Sequence, residues 1–413
     1  MTLIKTSVLT AFSTIIKVLS GFVINKFLSI YVGPSGLALV GQLRDFVGTV
    51  LSFSNGAITS GVIKYTAQYQ TIEEKQKIFS TSIIISLVCS FIVGLLIFIF
   101  SDSLSIEILK TNEYISVFQI LAFTIVLFSL NTLLQSILNG QKEIKKYILV
   151  NISSSIFSLF FTSFLVYKFH LVGALYAIVL NQSVIFFVTL GFIIKSRWFK
   201  LQYFLQGIDK ESVKNLFQYS LMAITSALTV PISYIIIRNY IGENLSWDDA
   251  GYFQGIKYIS DMYLMVVTTS LGVYYLPRLS EIQDTKELKQ EIISGYKIIM
   301  PIVIILAFGI YIFRELAVHI AFTDKFLPML ELFKWQLIGD IIKIASWLLG
   351  YVMLAKTMTK VFIITEVLFS VLFVILSVLF IKYFGLVGVT YAFSLNYFIY
   401  LILMIFIFRR RFR

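Results

Sequence analysis

Charged residues are scarce in this chain of 413 residues: Asp, Glu, Lys and Arg make up only 14% of it. Water-soluble domains carry about 25% charged residues, so these charges are too few to cover a soluble globule of this size. Cysteine and histidine are scarcer still. The single Cys89 excludes an internal disulfide and a cysteine zinc site, and two histidines are too few for most imidazole-based metal sites. We therefore expect no metal and no cofactor.

Proline is also rare. The chain has five prolines, and no Pro/Ser-rich stretch separates it into linked soluble domains. What it has in abundance is apolar side chains: 58% of the residues are hydrophobic and the mean hydropathy is +0.89. This composition predicts a protein whose solvent is a lipid bilayer.

The apolar residues fall into runs long enough to cross a membrane. A bilayer core about 30 Å thick needs about 20 apolar residues in a helix. The first run has Lys17 in its middle and no small-residue cleavage site after it, so we expect a span rather than a signal peptide. The twelve predicted spans are 6–30, 37–63, 78–100, 114–139, 147–167, 171–194, 213–237, 250–276, 292–313, 328–355, 360–381 and 386–408.

The lysines and arginines outside these spans predict the orientation. With the N-terminus in the cytoplasm, the cytoplasmic segments hold 22 of them and the opposite segments hold 6. Cytoplasmic loops of membrane proteins carry an excess of Lys and Arg, so both termini are expected in the cytoplasm. The same distribution accounts for the net charge of +12 without nucleic-acid binding.

Two segments of the chain nearly repeat each other. "LVGALYAIVLN" at 171–181 and "LVGVTYAFSLN" at 386–396 agree at seven of eleven positions, with an offset of 215 residues. Each copy opens the last helix of a six-helix half. Because six is even, both halves enter the membrane in the same sense, as parallel repeats do. We therefore predict an all-α transporter of two six-helix lobes, 1–200 and 201–413, around a central cavity.

Charges inside the spans are the most informative residues, because a charge in a bilayer is costly unless it faces a cavity or a partner. The cations are Lys17, Lys26, Arg44, Lys257, Lys334 and Lys343. The carboxylates are Asp45, Asp261, Asp340 and Glu366. Lys257 and Asp261 are four residues apart and Asp340 and Lys343 three apart, so both pairs are expected to form within a helix.

The surplus of cations favours an anionic substrate, and phosphate suits both lysine and arginine. We therefore take the six cations as candidate substrate-binding residues. Asp45, Asp261 and Asp340 are candidates for ion coupling or charge pairing. Structural ion pairs, and snorkelling of Lys26 and Lys334 to the interface, are the alternatives. No catalytic motif is present, since "GAITSGVIK" at 56–64 lacks the Gly-Lys-Ser/Thr ending of a phosphate-binding loop and lies within a predicted span.

Four longer stretches resemble the polysaccharide flippases of the multidrug/oligosaccharidyl-lipid/polysaccharide superfamily. They are "SGVIKYTAQY" (60–69), "SWDDAGYFQGIKYISDMYL" (246–264), "YLPRLSEI" (275–282) and "LFKWQLIGDIIKIASWLLGYVMLAK" (332–356). The resemblance implies a bacterial inner-membrane protein. Its substrate would be an undecaprenyl-pyrophosphate-linked oligosaccharide, either lipid III of enterobacterial common antigen or an O-antigen unit. The polysaccharide polymerase and chain-length machinery, together with membrane lipids, are the partners it suggests.

Two other functions stay open from the residues alone. A drug/cation antiporter of the same superfamily would need unpaired carboxylates, which the cations outnumber here. A membrane enzyme of polysaccharide assembly would need a sizeable outward loop, and the outward segments near 101–113, 238–249 and 314–327 are only about a dozen residues long. A flippase that works by alternating access is the favoured interpretation.

Overall fold

The computed structural model describes residues 3–196 and 198–411, and every regular element in those residues is helical. Arg197 and the chain ends, which belong to the predicted cytoplasmic segments, lie outside the described residues. The α-helices are α1 (Leu3–Tyr31), α2 (Gly33–Ser54), α3 (Thr59–Gln68), α4 (Ile72–Ile99), α5 (Ser101–Leu109), α6 (Ile115–Gly140), α7 (Ile144–Ile193), α8 (Lys210–Asn244), α9 (Trp247–Ser270), α10 (Leu276–Glu281), α11 (Thr285–Ile312), α12 (Arg314–Ala321), α13 (Phe333–Ala355), α14 (Thr359–Phe384) and α15 (Val387–Arg411).

The long helices match the predicted spans. In the described part of the chain, nine helices are long and apolar enough to cross a membrane, or ten if the bent pair α2 and α3 counts as one span. One of them, α7, contains two predicted spans, because its backbone turns at His170. The remaining predicted span, 250–276, begins as α9, which carries four charged residues. The protein is thus an all-α, multi-pass membrane protein.

Several helices begin at a side chain that caps them. Thr71 accepts a hydrogen bond from the backbone N–H of Glu74 and completes a capping box at the start of α4. Ser246 and Asp284 cap α9 and α11 in the same way, through the N–H three residues on. Such caps satisfy donors that a helix leaves free and typically contribute about 1 kcal/mol each. They fix where these helices start.

The second predicted span, 37–63, was expected as one helix, and this was wrong. It breaks at Asn55–Ile58 into α2 and α3, which are inclined by 48°. Gly56 and Ala57 both have positive φ, at 62° and 52°. Ser129 donates hydrogen bonds to the side chain of Asn55 and to a nearby backbone carbonyl, and so holds the break in a buried position. The apolar run alone does not reveal this polar hinge.

The sequence repeat is reproduced in the backbone at the same offset of 215 residues. His170 and Gly385 both have positive φ, at 49° and 63°. Further along, a Cβ at Gly173 would lie 1.9 Å from the carbonyl oxygen of Leu165, and one at Gly388 would lie 2.2 Å from that of Phe380. Only glycine allows so close a backbone approach. The two halves therefore share a local architecture as well as a sequence pattern.

The described residues form two compact units, each with its own apolar core. The first consists of the residues up to Val32 together with Leu39–Pro231, and its core includes Phe79, Ile137 and Leu216. The second consists of Gly33–Ala38 and the residues from Ile232 onward, with Tyr275, Leu348 and Met404 in its core. The division into lobes at 200/201, which was based on the repeat, stays a prediction.

The start of α2 packs within the second unit. The backbone N–H of Ser35 donates to Asp248 at 3.1 Å, and Gly251 lies against the backbone of Pro34 so closely that a Cβ would be 2.0 Å from its carbonyl oxygen. Glycine at 251 is therefore required by the packing.

Two outward segments that were predicted as loops contain short helices. These are α5 in 101–113 and α12 in 314–327, at corresponding places in the two halves. The third such segment, 238–249, begins inside α8, which continues to Asn244. Arg238, which was expected in an outward loop, therefore lies within a helix. The drop in apolar character after Ile237 marks where polar side chains begin, not where the helix ends.

Candidate functional site

Lys257 and Asp261 form the ion pair that their spacing predicted. Both lie on one face of α9, and the Lys257 Nζ is 2.8 Å from the Asp261 Oδ2. The same ammonium lies 4.8 Å from the centroid of the Tyr234 ring, which comes from α8. A cation over an aromatic face gains about 0.5–2 kcal/mol, depending on how far it is desolvated. Two different partners thus stabilise the charge of Lys257.

Asp340 on α13 is completely buried, with 0% of its surface exposed. Its Oδ2 accepts a hydrogen bond from the Tyr263 hydroxyl at 2.8 Å, and its Oδ1 accepts one from Gln336 Nε2 at 3.2 Å. The predicted ion pair between Asp340 and Lys343 does not form, and that expectation was wrong. The carboxylate is instead bound by two neutral donors, one from α9 and one from a residue four positions earlier on its own helix.

Lys343 turns toward aromatic rings instead. Its Nζ lies 4.8 Å from the ring centroid of Trp347, four residues further along α13. Phe393 and Tyr397 of α15 are each at 5.9 Å from the same ammonium. Because Trp is the strongest cation–π partner, this arrangement competes with an ion pair to Asp340. Lys343 is half-buried, and its charge is not neutralised by a bonded carboxylate.

Lys334 and Lys26 lie nearer to helix ends. Lys334 is the second residue of α13 and its side chain is exposed, with the Nζ 5.8 Å from the Trp335 ring. Lys26 is half-buried in the last part of α1. Lysine side chains near helix ends reach the membrane interface readily, so both positions suit snorkelling as well as binding.

The first unit contributes Lys17, Arg44 and Asp45. Among the residues the structure describes, the side chains of Lys17 and Arg44 are exposed and have no hydrogen bond, ion pair or ring contact. Asp45 is half-buried and does have a partner, which is not Arg44. As expected, the adjacent residues Arg44 and Asp45 do not pair with each other. Two cations inside predicted spans are thus available to a ligand.

Arg238 lies in the candidate span Ser220–Asn244, but it was not among the predicted charges inside spans. It is fully buried in the second unit, and its Nη1 donates a hydrogen bond to Gln254 Oε1 of α9 at 2.6 Å. The aromatic partners Tyr234 and Tyr263 were missed as well. Tyr234 lies on α8 and contacts Lys257 of α9, and Tyr263 lies on α9 and contacts Asp340 of α13. Nothing in the sequence pattern reveals contacts between different helices.

These groups are equipped for binding and not for covalent chemistry. No cluster of three or more metal-ligating side chains occurs in the part of the chain that the structure describes. What it presents are ammonium and guanidinium groups, aromatic faces and a buried carboxylate. Cations of this kind bind phosphate groups, with lysine as a point charge and arginine as a two-pronged donor.

The fold is that of a known class of membrane transporters. A solved inward-facing structure of a multidrug resistance MATE family transporter of the MOP superfamily superposes with a TM-score of 0.77, covering 97% of this chain and 94% of that one at 17% identity. The sequence then places the chain more narrowly. The sequence model of the polysaccharide biosynthesis protein family matches residues 45–331, more than two thirds of the chain, and the chain belongs to that family.

Two curated relatives are similar over most of their length. The Lipid III flippase of Escherichia coli strain K12 is 29% identical over 404 residues, which cover 97% of this chain and 96% of the relative. A putative O-antigen transporter of Shigella flexneri is 24% identical over 318 residues, covering 74% of each chain. Both names describe transport proteins.

Proposed function

We propose that this protein is a flippase for an undecaprenyl-pyrophosphate-linked oligosaccharide, namely lipid III of enterobacterial common antigen or an O-antigen unit. It moves the head group from the cytoplasmic to the periplasmic leaflet of the bacterial inner membrane. Near full-length similarity to a Lipid III flippase supports this proposal, as does the transporter fold. In this proposal the lobes 1–200 and 201–413 alternate between inward-open and outward-open states, as parallel repeats allow.

The observation that carries the proposal is the pair of unpartnered cations, Lys17 and Arg44. A charge within a span is costly, so a cation kept there without a protein partner needs another reason. The pyrophosphate of the substrate supplies it, because it brings negative charge and oxygen acceptors when the head group is bound. In this proposal Lys26, Lys257 and Lys343 serve the same substrate along its path.

The membrane voltage would supply the driving force. Each negative charge that moves outward across an inside-negative membrane gains about 2.3 kcal/mol per 100 mV. A pyrophosphate carries enough charge for voltage alone to favour export. Asp45, Asp261 and Asp340 are the carboxylates that we propose for any coupling to an ion, with Asp340 favoured because only neutral donors bind its buried oxygens.

The proposal includes an orientation and partners. Both termini lie in the cytoplasm, which the distribution of Lys and Arg over the loops supports. On the periplasmic side, the flipped lipid-linked unit would pass to a polysaccharide polymerase and its chain-length machinery. Membrane lipids surround the apolar faces of the helices.

The decisive experiment is leaflet-resolved transport by the purified protein in liposomes. Undecaprenyl-pyrophosphate glycans of defined composition are placed in one leaflet, and their appearance in the other is followed with an impermeant sugar-modifying enzyme. We expect transport that depends on the pyrophosphate and increases with an applied voltage. No transport of any such glycan, together with cation-driven export of drug-like cations, would instead establish the antiporter.

A further inference from the structure

An apolar groove lies on the surface of the second unit, between α13, α14 and α15. Its volume is about 470 Å³. The lining side chains are Trp335, Ile338, Ile342, Phe380, Phe384, Tyr391, Ser394, Leu395 and Phe398. Of the two hydroxyls in the lining, that of Ser394 donates to the carbonyl oxygen of Trp335 at 2.6 Å, and the other belongs to Tyr391. The lining is otherwise apolar and suits a hydrocarbon chain.

Close packing of two helices forms one side of the groove. At Gly339 a Cβ would lie 2.4 Å from a ring carbon of Phe393, so α13 and α15 touch at this position. The rings of Phe380 and Phe384, one turn apart on α14, form the opposite wall. From Trp335 to Ile342 the groove follows α13 for about 10 Å, given a rise of about 1.5 Å per residue. This length is most of one leaflet of a bilayer core about 30 Å thick.

Three polar tips gather at the end of the groove nearest the start of α13. The Trp335 and Tyr391 rings are edge to face, with centroids 5.1 Å apart, and the Lys334 ammonium lies 5.8 Å from the Trp335 ring. Among the described residues, the ammonium, the indole N–H and the Tyr391 hydroxyl have no hydrogen-bonded partner. Trp, Tyr and Lys at a helix end are the residues that meet lipid head groups.

The corresponding tyrosine in the first unit is different. Tyr176 lies 215 residues before Tyr391, and its hydroxyl is hydrogen-bonded to Ser116 at 2.9 Å. The residue that corresponds to Ser116 is Glu331, which is exposed and makes no such bond. The tyrosine of the second unit is therefore left available to a ligand.

We propose that this groove binds a phospholipid of the surrounding bilayer, with one acyl chain along α13 and the phosphate at Lys334. The groove face of α13 carries Trp335, Ile338 and Ile342. At about 100° per residue, Asp340 lies about 140–160° around the helix from these three residues, and Lys343 about 80–140°. Lys343, the α13 cation that the proposed function assigns to the substrate, lies on another face of the helix, so we assign the groove to a lipid other than the transported substrate.

The test uses the purified full-length protein in nanodiscs that contain phosphatidylglycerol with a diazirine in one acyl chain. After photolysis, we expect crosslinks concentrated on the peptides that contain 335–342 and 391–398. Leu395→Trp fills the groove, so it should remove most of these crosslinks. The matched control is Leu180→Trp at the position equivalent by the repeat, which should leave them unchanged.

A second variant does not change the shape of the groove. Lys334→Gln removes only the exposed ammonium, and we expect phosphatidylglycerol to be retained up to about fivefold more weakly in native mass spectrometry, as is typical of an exposed charge pair. Crosslinks spread evenly over all lipid-facing helices, or unchanged by Leu395→Trp in a protein that remains folded, would overturn the proposal. So would displacement of phosphatidylglycerol from the groove by undecaprenyl pyrophosphate at an equimolar amount, because the groove would then belong to the substrate.

Discussion

The backbone of His170 repeats that of Gly385, 215 residues later in the chain. The first has φ 49° and ψ −125°, and the second has φ 63° and ψ −149°. Each sits where one long helix turns into the next. Only glycine adopts this region without strain, and another residue there costs about 1–3 kcal/mol. The first half of the protein thus holds a histidine in a conformation for which the second half uses glycine.

This relationship predicts an unusual effect of substitution. His170→Gly should be more stable than His170→Ala by about 1–3 kcal/mol, because both lose the ring contact with Tyr31 but only glycine relieves the backbone. Gly385→Ala should destabilise the protein by a similar amount. Thermal unfolding of the three purified variants measures these differences. Equal stability of the two His170 variants would contradict the backbone explanation.

Variants of the ion pair between Lys257 and Asp261 can distinguish a structural role of Lys257 from a role in substrate binding. We expect Asp261→Ala to lower transport, because it leaves the ammonium with only its aromatic partner. If Lys257 binds substrate, the double variant Lys257→Ala/Asp261→Ala stays inactive. Transport per inserted molecule in the double-mutant cycle is the measurement. Full activity of the double variant would show that Lys257 is not a binding residue.

Arg44 and Lys17 give the most direct test of phosphate binding. Arg44→Ala and Lys17→Ala should abolish transport while expression and membrane insertion stay near normal, because neither cation has a protein partner to lose. Arg44→Lys should keep part of the activity, since the charge remains and the two-pronged geometry is lost. The exposed Lys382 on α14 provides a control, and Lys382→Ala should transport normally. Poor accumulation with normal specific activity would point to a structural role instead.

Because Asp340 is a buried carboxylate, the loss of one of its hydrogen-bond donors should lower stability more than the loss of a donor to a neutral group. Tyr263→Phe removes a donor from a fully buried carboxylate and should cost about 1.5–3 kcal/mol. Tyr275→Phe is the matched control, because Tyr275 donates to the neutral carbonyl of Leu348 at 3.3 Å and should cost less. Adding Asp340→Asn to Tyr263→Phe should recover part of the loss. Equal unfolding temperatures for the two tyrosine variants would refute this.

The orientation of the chain can be tested with single cysteines after Cys89→Ser. Gln70→Cys, Leu205→Cys and Thr285→Cys are exposed positions in predicted cytoplasmic segments, so they should resist a membrane-impermeant thiol reagent in intact cells. Asn112→Cys, which is exposed in an outward segment, should react. Labelling at any of the first three positions in sealed cells would reverse the topology.

Some contacts could be predicted because they are local. Lys257 and Asp261 pair as expected, since residues four apart share one face of a helix wherever that helix lies. The spacing of Asp340 and Lys343 predicted a similar ion pair, but that pair does not form. Tyr263, 77 residues away from Asp340, provides a donor to the carboxylate, while Trp347 provides a ring to the lysine. Sequence spacing identifies possible partners on the same helix, but it does not identify partners on neighbouring helices.

By itself, the sequence determined that this protein lies in a membrane, that it is built of helices and that its two halves are repeats. A chain with 58% hydrophobic residues in runs of about 20 must satisfy its backbone hydrogen bonds internally, so it forms membrane helices, and the repeat at 215 residues relates its halves. Apart from the local pair Lys257 and Asp261, the tertiary structure decided which charges meet a partner. Arg238 is buried because Gln254 of the next helix reaches it, while Arg44 is left exposed. Burial and charge compensation depend on distances between helices, and these depend on packing over the whole unit.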